Sequence, residues 1–200
     1  FDINLEEIND WNCCGATAAH NMNKVLSVAL PARILSLAEK QGFKEIVVPC
    51  AACYSRLTVT KHELSKDPEL KRAVTEANGL DYHGTVEVLN IIQFLNKYII
   101  PNLEGRIVKP FNHKVACYYG CYLVRPHEIL KFDREEDPQL MDEIMLKAGA
   151  TPIDWAFKTE CCGAGLSVSR TSSVGRLSGK IIGDAKDRGA EVMIVACPMC

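Results

Sequence analysis

Cysteine placement constrains this chain more than any other feature. Ten cysteines occur in 200 residues: Cys13, Cys14, Cys50, Cys53, Cys117, Cys121, Cys161, Cys162, Cys197 and Cys200. Most fall in a repeat. Residues 38–53 (AEKQGFKEIVVPCAAC) align with residues 185–200 (AKDRGAEVMIVACPMC) at an offset of 147, so that Gly42, Cys50 and Cys53 match Gly189, Cys197 and Cys200. Upstream, Cys13-Cys14-Gly15-Ala16 matches Cys161-Cys162-Gly163-Ala164 at an offset of 148, and a one-residue gap reconciles the two. That period is far too long for a solenoid. It reads as duplication of a half-domain. The second copy has the pattern C-x39-C-C-G-x33-C-x-x-C, opening at Cys121, and the first has 35 residues between Cys14 and Cys50.

Each copy predicts a helix followed by a short apolar strand. In the second, Ser172 or Ser173 is a candidate cap. Val174, Leu177, Ile181, Ile182 and Ala185 form a helical stripe, Gly189 suits the left-handed stop, and residues 192–196 read as a strand buried in a parallel sheet. In the first, a helix over 23–41 is kinked or split by Pro31 and stopped by Gly42, with Ile46-Val47-Val48 as the strand. Between the copies, Asp67-Pro68 opens a helix that Gly79 ends. Val86, Leu89, Ile92 and Leu95 mark another, and Asp137-Pro138 opens one that Gly149 ends. Lys114 to Tyr119 reads as a strand leading into Gly120-Cys121. The expected fold is α/β, with two pseudo-symmetric halves over residues 1–110 and 111–200, each a small, mostly parallel sheet flanked by helices.

The apolar content of 48% suits a globular core, and a formal charge of −2 gives no reason to expect nucleic acid. No apolar run approaches the roughly 20 residues of a membrane helix. So many cysteines in a chain with helix and strand patterns point to metal or redox work in a reducing, cytoplasmic setting. Adjacent and CxxC pairs are poor raw material for structural disulfides. A CxxC after a buried strand puts two thiolates at a sheet's carboxyl end, where ligands gather, and a Cys-Cys pair offers two more. Thiolates suit iron–sulfur clusters and zinc alike. Five cysteines per set exceed a zinc tetrahedron, and a cluster of several irons can use the fifth.

The repeated CCG with its downstream CxxC resembles the cysteine-rich CCG domain. The order of elements is similar to that in the B subunit of heterodisulfide reductase. The segments Tyr118-Tyr119-Gly120-Cys121, Arg125-Pro126 and Cys161-Cys162-Gly163-Ala164-Gly165 strengthen that match, which covers nearly the whole chain. The resemblance implies two noncubane [4Fe–4S] clusters. One would be held by Cys121, Cys161, Cys162, Cys197 and Cys200, and the other by Cys13, Cys14, Cys50 and Cys53. The leading cysteine of the first set has no match, because 12 residues precede Cys13. The abrupt start and the stop on Cys200 are expected to reflect truncation at both ends. The resemblance further implies reduction of a small disulfide between the clusters, with partners in a flavin-containing A subunit and an iron–sulfur C subunit and no direct membrane span. A relay of electrons without catalysis, as in CCG complexes oxidising lactate or glycolate or serving quinones, stays open, as does a zinc-stabilised interaction scaffold.

Other residues carry weaker signals. Cys197-Pro198-Met199-Cys200 is also similar to a thioredoxin-type pair, against which its CxxC partner copy and the CCG companions argue. Cys117, outside the repeat, is expected to be a small buried side chain. His20 and His127 lie nearest in sequence to the cysteines and are candidate proton donors. Arg125 is a candidate to steer an anionic substrate, with a surface salt link as the alternative. The acidic stretch from Asp133 to Asp137 reads as solvated surface.

Overall fold

A computed structural model describes residues 1–200, the side chain of Thr17 excepted. The chain is α/β and divides into two compact units, Phe1–Asn90 and Ile91–Cys200, so residues 91–110 join the second.

The first unit carries a two-stranded parallel sheet, β1 (Glu45–Val48) beside β2 (Glu87–Asn90). Helix α1 (Ala16–Met22) leads into α2 (Lys24–Lys40), which packs against α1, α3 (Ala51–Lys66) and α4 (Pro68–Asn78). Local chemistry sets the helix ends. The Asn23 side chain accepts from Leu26 N–H, and Asp67 accepts from Leu70 N–H with Pro68 at the first turn, each cap contributing about 1 kcal/mol. Gly79 ends α4 in the left-handed conformation. Helix α2 runs through Pro31 as one element of 17 residues. It is not split there, and Pro31 is buried, as are Val28, Ala32 and Leu35.

The helix expected around Val86 to Leu95 is corrected by the structure. Residues 87–90 form β2, paired with β1 in the register Ile46–Val88 and Val47–Leu89, and only Ile91–Phe94 is α-helical (α5), continuing as a π-turn over Leu95–Ile99. Residues spaced by three satisfied a helical pattern over too short a run. Pairing with β1 outweighs it.

The second unit holds a three-stranded parallel sheet in the order β4-β3-β5: β4 (Thr151–Pro152), β3 (Lys114–Tyr118) and β5 (Val192–Val195). Central β3 is buried from Val115 to Tyr118. Short helices α6 (Cys121–Val124) and α7 (His127–Leu130) follow it, then α8 (Leu140–Lys147) and α9 (Thr171–Asp187). Ile181 and Ala185 of α9 pack on Ala116, Tyr118 and Trp155. Four expectations change. No serine caps α9, whose N-cap is Arg170, and Ile182 is exposed. Strand β5 lies at the sheet edge and is half-buried, not enclosed. Helix α8 starts three residues beyond Asp137, and Asp133 supplies its capping carboxylate by accepting from Gln139 and Leu140 N–H groups.

Candidate metal centre

Each unit places a Cys-Cys-Gly-Ala turn and a CxxC pair where thiols meet. In the first unit, Cys50 follows β1 and is the N-cap of α3, which puts Cys53 in that helix's first turn. The free N–H groups and positive dipole end there favour thiolate character. The sequence reasoning missed α3, although Tyr54, Leu57 and Leu64 are buried at helical spacing. Cys14 Sγ lies 2.9 Å from Cys53 Sγ. The hydrogen bond from Cys53 pulls the Cys14 thiol down to about 6 against the opposing effect of burial, with Ala16 N–H helping. Cys53 moves far up for the same reason, its bond with Cys14, with Cys50 adding to it.

The glycine of the turn has the same conformation in both units. Gly15 and Gly163 are left-handed, at φ 78° and 79°. Gly15 N–H points to Cys13 Sγ at 3.5 Å and Gly163 N–H to Cys161 Sγ at 3.4 Å. The next residue, Ala16 or Ala164, donates its N–H to Cys14 or Cys162. Each turn thus aims two backbone donors at two sulfurs, the kind of contact that orients and tunes thiolate ligands.

In the second unit, Cys162 Sγ lies 3.4 Å from Cys200 Sγ. Cys121 contacts Cys161 and feels Cys162 and Cys200. Burial, then Cys161, pushes its thiol up to about 12. Burial likewise raises Cys162. Cys197 is buried, and Cys200 N–H bonds back to its carbonyl at 3.0 Å. Before Cys121, Gly120 has φ 68° and ψ −177°, a region open essentially to glycine alone. A side chain there would meet Tyr118 and Cys200 Sγ within 3.6 Å.

Among the described residues, no three His, Cys, Asp or Glu side chains converge closely enough for a single metal ion. The thiols meet in pairs, from two segments in the first unit and three in the second. A donor set made only of thiols, flanked by N–H donors, is soft and could hold a cluster of several irons, whose ligands stand further apart than those around one ion. Cys117 stands apart, fully buried on β3, its carbonyl accepting from the Trp155 indole N–H. His20 Nδ1 lies 2.9 Å from an Arg56 guanidinium nitrogen, on exposed surface. His127 opens α7. Arg125 makes an exposed ion pair with Glu136 at 3.4 Å.

Comparison with known proteins agrees with this arrangement. The sequence profile of the CCG cysteine-rich domain matches residues 2–58 and 115–200. The B subunit of the ferredoxin/F(420)H(2)-dependent CoB-CoM heterodisulfide reductase of Methanosarcina acetivorans is 32% identical over 208 residues, spanning 100% of this chain and 69% of that protein. The membrane anchor subunit of the 8-methylmenaquinol:fumarate reductase of Wolinella succinogenes is 30% identical over 201 residues, spanning 99% of this chain and 70% of that protein. The crystal structure of a hypothetical protein from Helicobacter pylori shares the fold at a TM-score of 0.68 and 16% identity, over 92% of this chain and 33% of that one. No helix among the described residues is long and apolar enough to cross a membrane. With two matched cysteine-rich segments and likeness to a heterodisulfide reductase along its whole length, the chain belongs to the cysteine-rich CCG-domain family that includes the B subunits of heterodisulfide reductases.

Proposed function

We propose that this chain is an iron–sulfur subunit of a heterodisulfide-reductase-like complex, reducing a disulfide or another two-electron acceptor, with two [4Fe–4S] clusters of the noncubane type as its cofactors. The observation that carries the reading is the doubled site: in each unit a Cys-Cys-Gly-Ala turn faces a CxxC cysteine beyond a parallel strand. Cys13, Cys14, Cys50 and Cys53 would hold one cluster, and Cys121, Cys161, Cys162, Cys197 and Cys200 the other. Such clusters supply one-electron storage on thiolate-held iron. The protein's own part is to present deprotonated sulfur, aim N–H donors at it from Gly15, Ala16, Gly163 and Ala164, and shield Cys162 and Cys197 by burial. Electrons would come from partners, a flavin-containing A subunit and an iron–sulfur C subunit, in the cytoplasm.

A second reading is an electron relay whose catalytic step lies elsewhere in the complex. The likeness to a component of a menaquinol:fumarate reductase favours it. A zinc-stabilised scaffold is the third. Iron, labile sulfide and zinc analysis of the anaerobically purified chain separates them, with EPR spectra before and after adding a disulfide. About eight irons per chain, as two four-iron clusters, with a disulfide-dependent signal is the expected outcome. The same iron without a response means a relay, and zinc with little iron overturns the cluster reading. Cys161→Ala should remove about half the iron, and Cys117→Ala none.

A further inference from the structure

We propose that Lys158, Asp142 and Tyr119 are positioning residues that preset Cys121 and Cys161 for a common ligand. The inference rests on the ligand reading proposed above. Its basis is a closed ring of hydrogen bonds in the second unit. The Lys158 carbonyl accepts from Tyr119 N–H at 2.9 Å and from Gly120 N–H at 3.0 Å. The Tyr119 hydroxyl donates to Asp142 Oδ2 at 2.7 Å and accepts from Met141 N–H at 2.8 Å. The Lys158 ammonium closes the ring on Asp142 Oδ1 at 3.3 Å, and also reaches Asp137 Oδ1 at 3.0 Å and the Pro138 carbonyl at 3.2 Å.

Three segments distant in sequence are thereby locked: the end of β3, the start of α8, and the loop before Cys161. The lock brackets both cysteines. Tyr119 and Gly120 immediately precede Cys121. Lys158 stands three residues before Cys161, and the Tyr118 hydroxyl donates to the intervening Glu160 carbonyl at 2.6 Å. Lys158 and Asp142 are both buried. A buried charge stays only where its partners are fixed, so the ring tolerates one geometry and excludes neighbours of it. That rigidity accounts for the glycine-only backbone at Gly120, which persists only where its surroundings over-determine it.

The test is cysteine-by-cysteine alkylation of the iron-free chain with iodoacetamide, read by peptide mass spectrometry. Cys117 reports the integrity of β3, and Cys13 and Cys50 of the first unit serve as controls. Tyr119→Phe, which deletes one hydroxyl, should speed labelling of Cys121 at least about threefold through local opening, with Cys117 protected and the controls unchanged. Lys158→Met should do more, extending the effect to Cys161. In the iron-loaded chain, Tyr119→Phe should alter the EPR line shape at unchanged iron content. Unchanged Cys121 and Cys161 rates in both variants overturn the proposal. Exposure of Cys117 in Tyr119→Phe overturns it too, since the ring would then support the fold at large. A wild-type chain that takes no iron overturns the ligand reading, while the alkylation pattern still decides the ring.

Discussion

The two units hold the same cysteine turn by opposite means. In the first, the approach to Cys13 is tied to α2 by half-buried Arg33 and Asn12 and the exposed Asp10. Arg33 reaches the Asp10 carbonyl at 2.6 Å, its carboxylate at 2.5 Å and Asn12 Oδ1 at 3.0 Å, and Asn12 Nδ2 donates to the Leu30 carbonyl at 3.1 Å. The Asp10 side chain is 79% exposed. In the second, the corresponding support is the buried ring, whose Lys158 and Asp142 side chains are 5% and 7% exposed. Water reaches Arg33 and Asp10 in the first arrangement, but in the second it is kept from Lys158 and Asp142 and reaches only Asp137. An exposed pair contributes about 0–1 kcal/mol. Removing one partner of a buried pair strands the other at a cost of about 3–5 kcal/mol. The first turn is therefore a tether and the second a fixed frame.

The largest effect expected from that contrast is on stability. Lys158→Met should destabilise the second unit by about 3–5 kcal/mol, because Asp142 loses its cation while buried. Arg33→Met should cost the first unit less than about 1 kcal/mol. Urea titration followed by hydrogen exchange on peptides of each unit measures both. Equal losses would break the comparison.

The glycines sharpen it at the turn itself. Gly15 and Gly163 share a left-handed backbone, which costs a side chain about 1–2 kcal/mol. Their surroundings differ. A Cβ on Gly15 would sit 2.7 Å from Ala19 Cβ and 2.8 Å from Leu30 Cδ1, whereas on Gly163 the tight contact is Leu177 Cδ1 at 2.9 Å. Leu177 can rotate away, but the Ala19 methyl is fixed to α1. Gly15→Ala should thus cost about 3 kcal/mol, strain plus overpacking, and Gly163→Ala about 1–2 kcal/mol. Thermal unfolding of the two variants gives the difference, and a reversed order would mean that α1 yields more readily than the leucine.

What could be read from sequence was local. The cap at Asp67, the stops at Gly42, Gly79 and Gly189, the strands around Ile46 and Val192 and the two Cys-Cys-Gly turns all depend on neighbouring residues. What depends on distant partners was not legible. Strand β2 exists because β1 pairs with it, though Val86, Leu89 and Ile92 mimic a helix period. The acidic stretch expected to be plain surface contains Asp133, which caps α8, and Asp137, which pairs with Lys158 across 21 residues. Nothing adjacent to Lys158 marks it as buried: its environment comes from α8 and β3. Near the site, the doubled cysteines and the glycine turns beside them were visible, while the buried Lys158, Asp142 and Tyr119 were not.

The smallest expected effect is a pH slope confined to the first unit. Glu39, half-buried on α2, holds the loop before β2. Its carboxylate accepts from His83 and Thr85 N–H groups at 2.8 and 2.7 Å and from the Thr85 hydroxyl at 3.1 Å. Burial alone would raise its pKa, but the N–H donors of His83, Thr85 and Gly84 outweigh burial and hold it below the usual 4.5. A depressed carboxyl stabilises the fold fully above its unfolded value and loses that contribution as pH falls through the folded one. Glu39→Gln keeps an acceptor oxygen and loses the charge. At pH 7 the variant should be slightly less stable than wild type. The gap should close progressively as pH falls below the ordinary carboxyl range and through the depressed folded pKa of Glu39, where both side chains become neutral. Hydrogen exchange over residues 82–90 follows this segment without interference from the second unit. A gap that stays constant from pH 7 to pH 3 would mean that the loop is held by shape and not by the carboxylate's charge, leaving the first unit without an electrostatic lock at either its turn or its sheet.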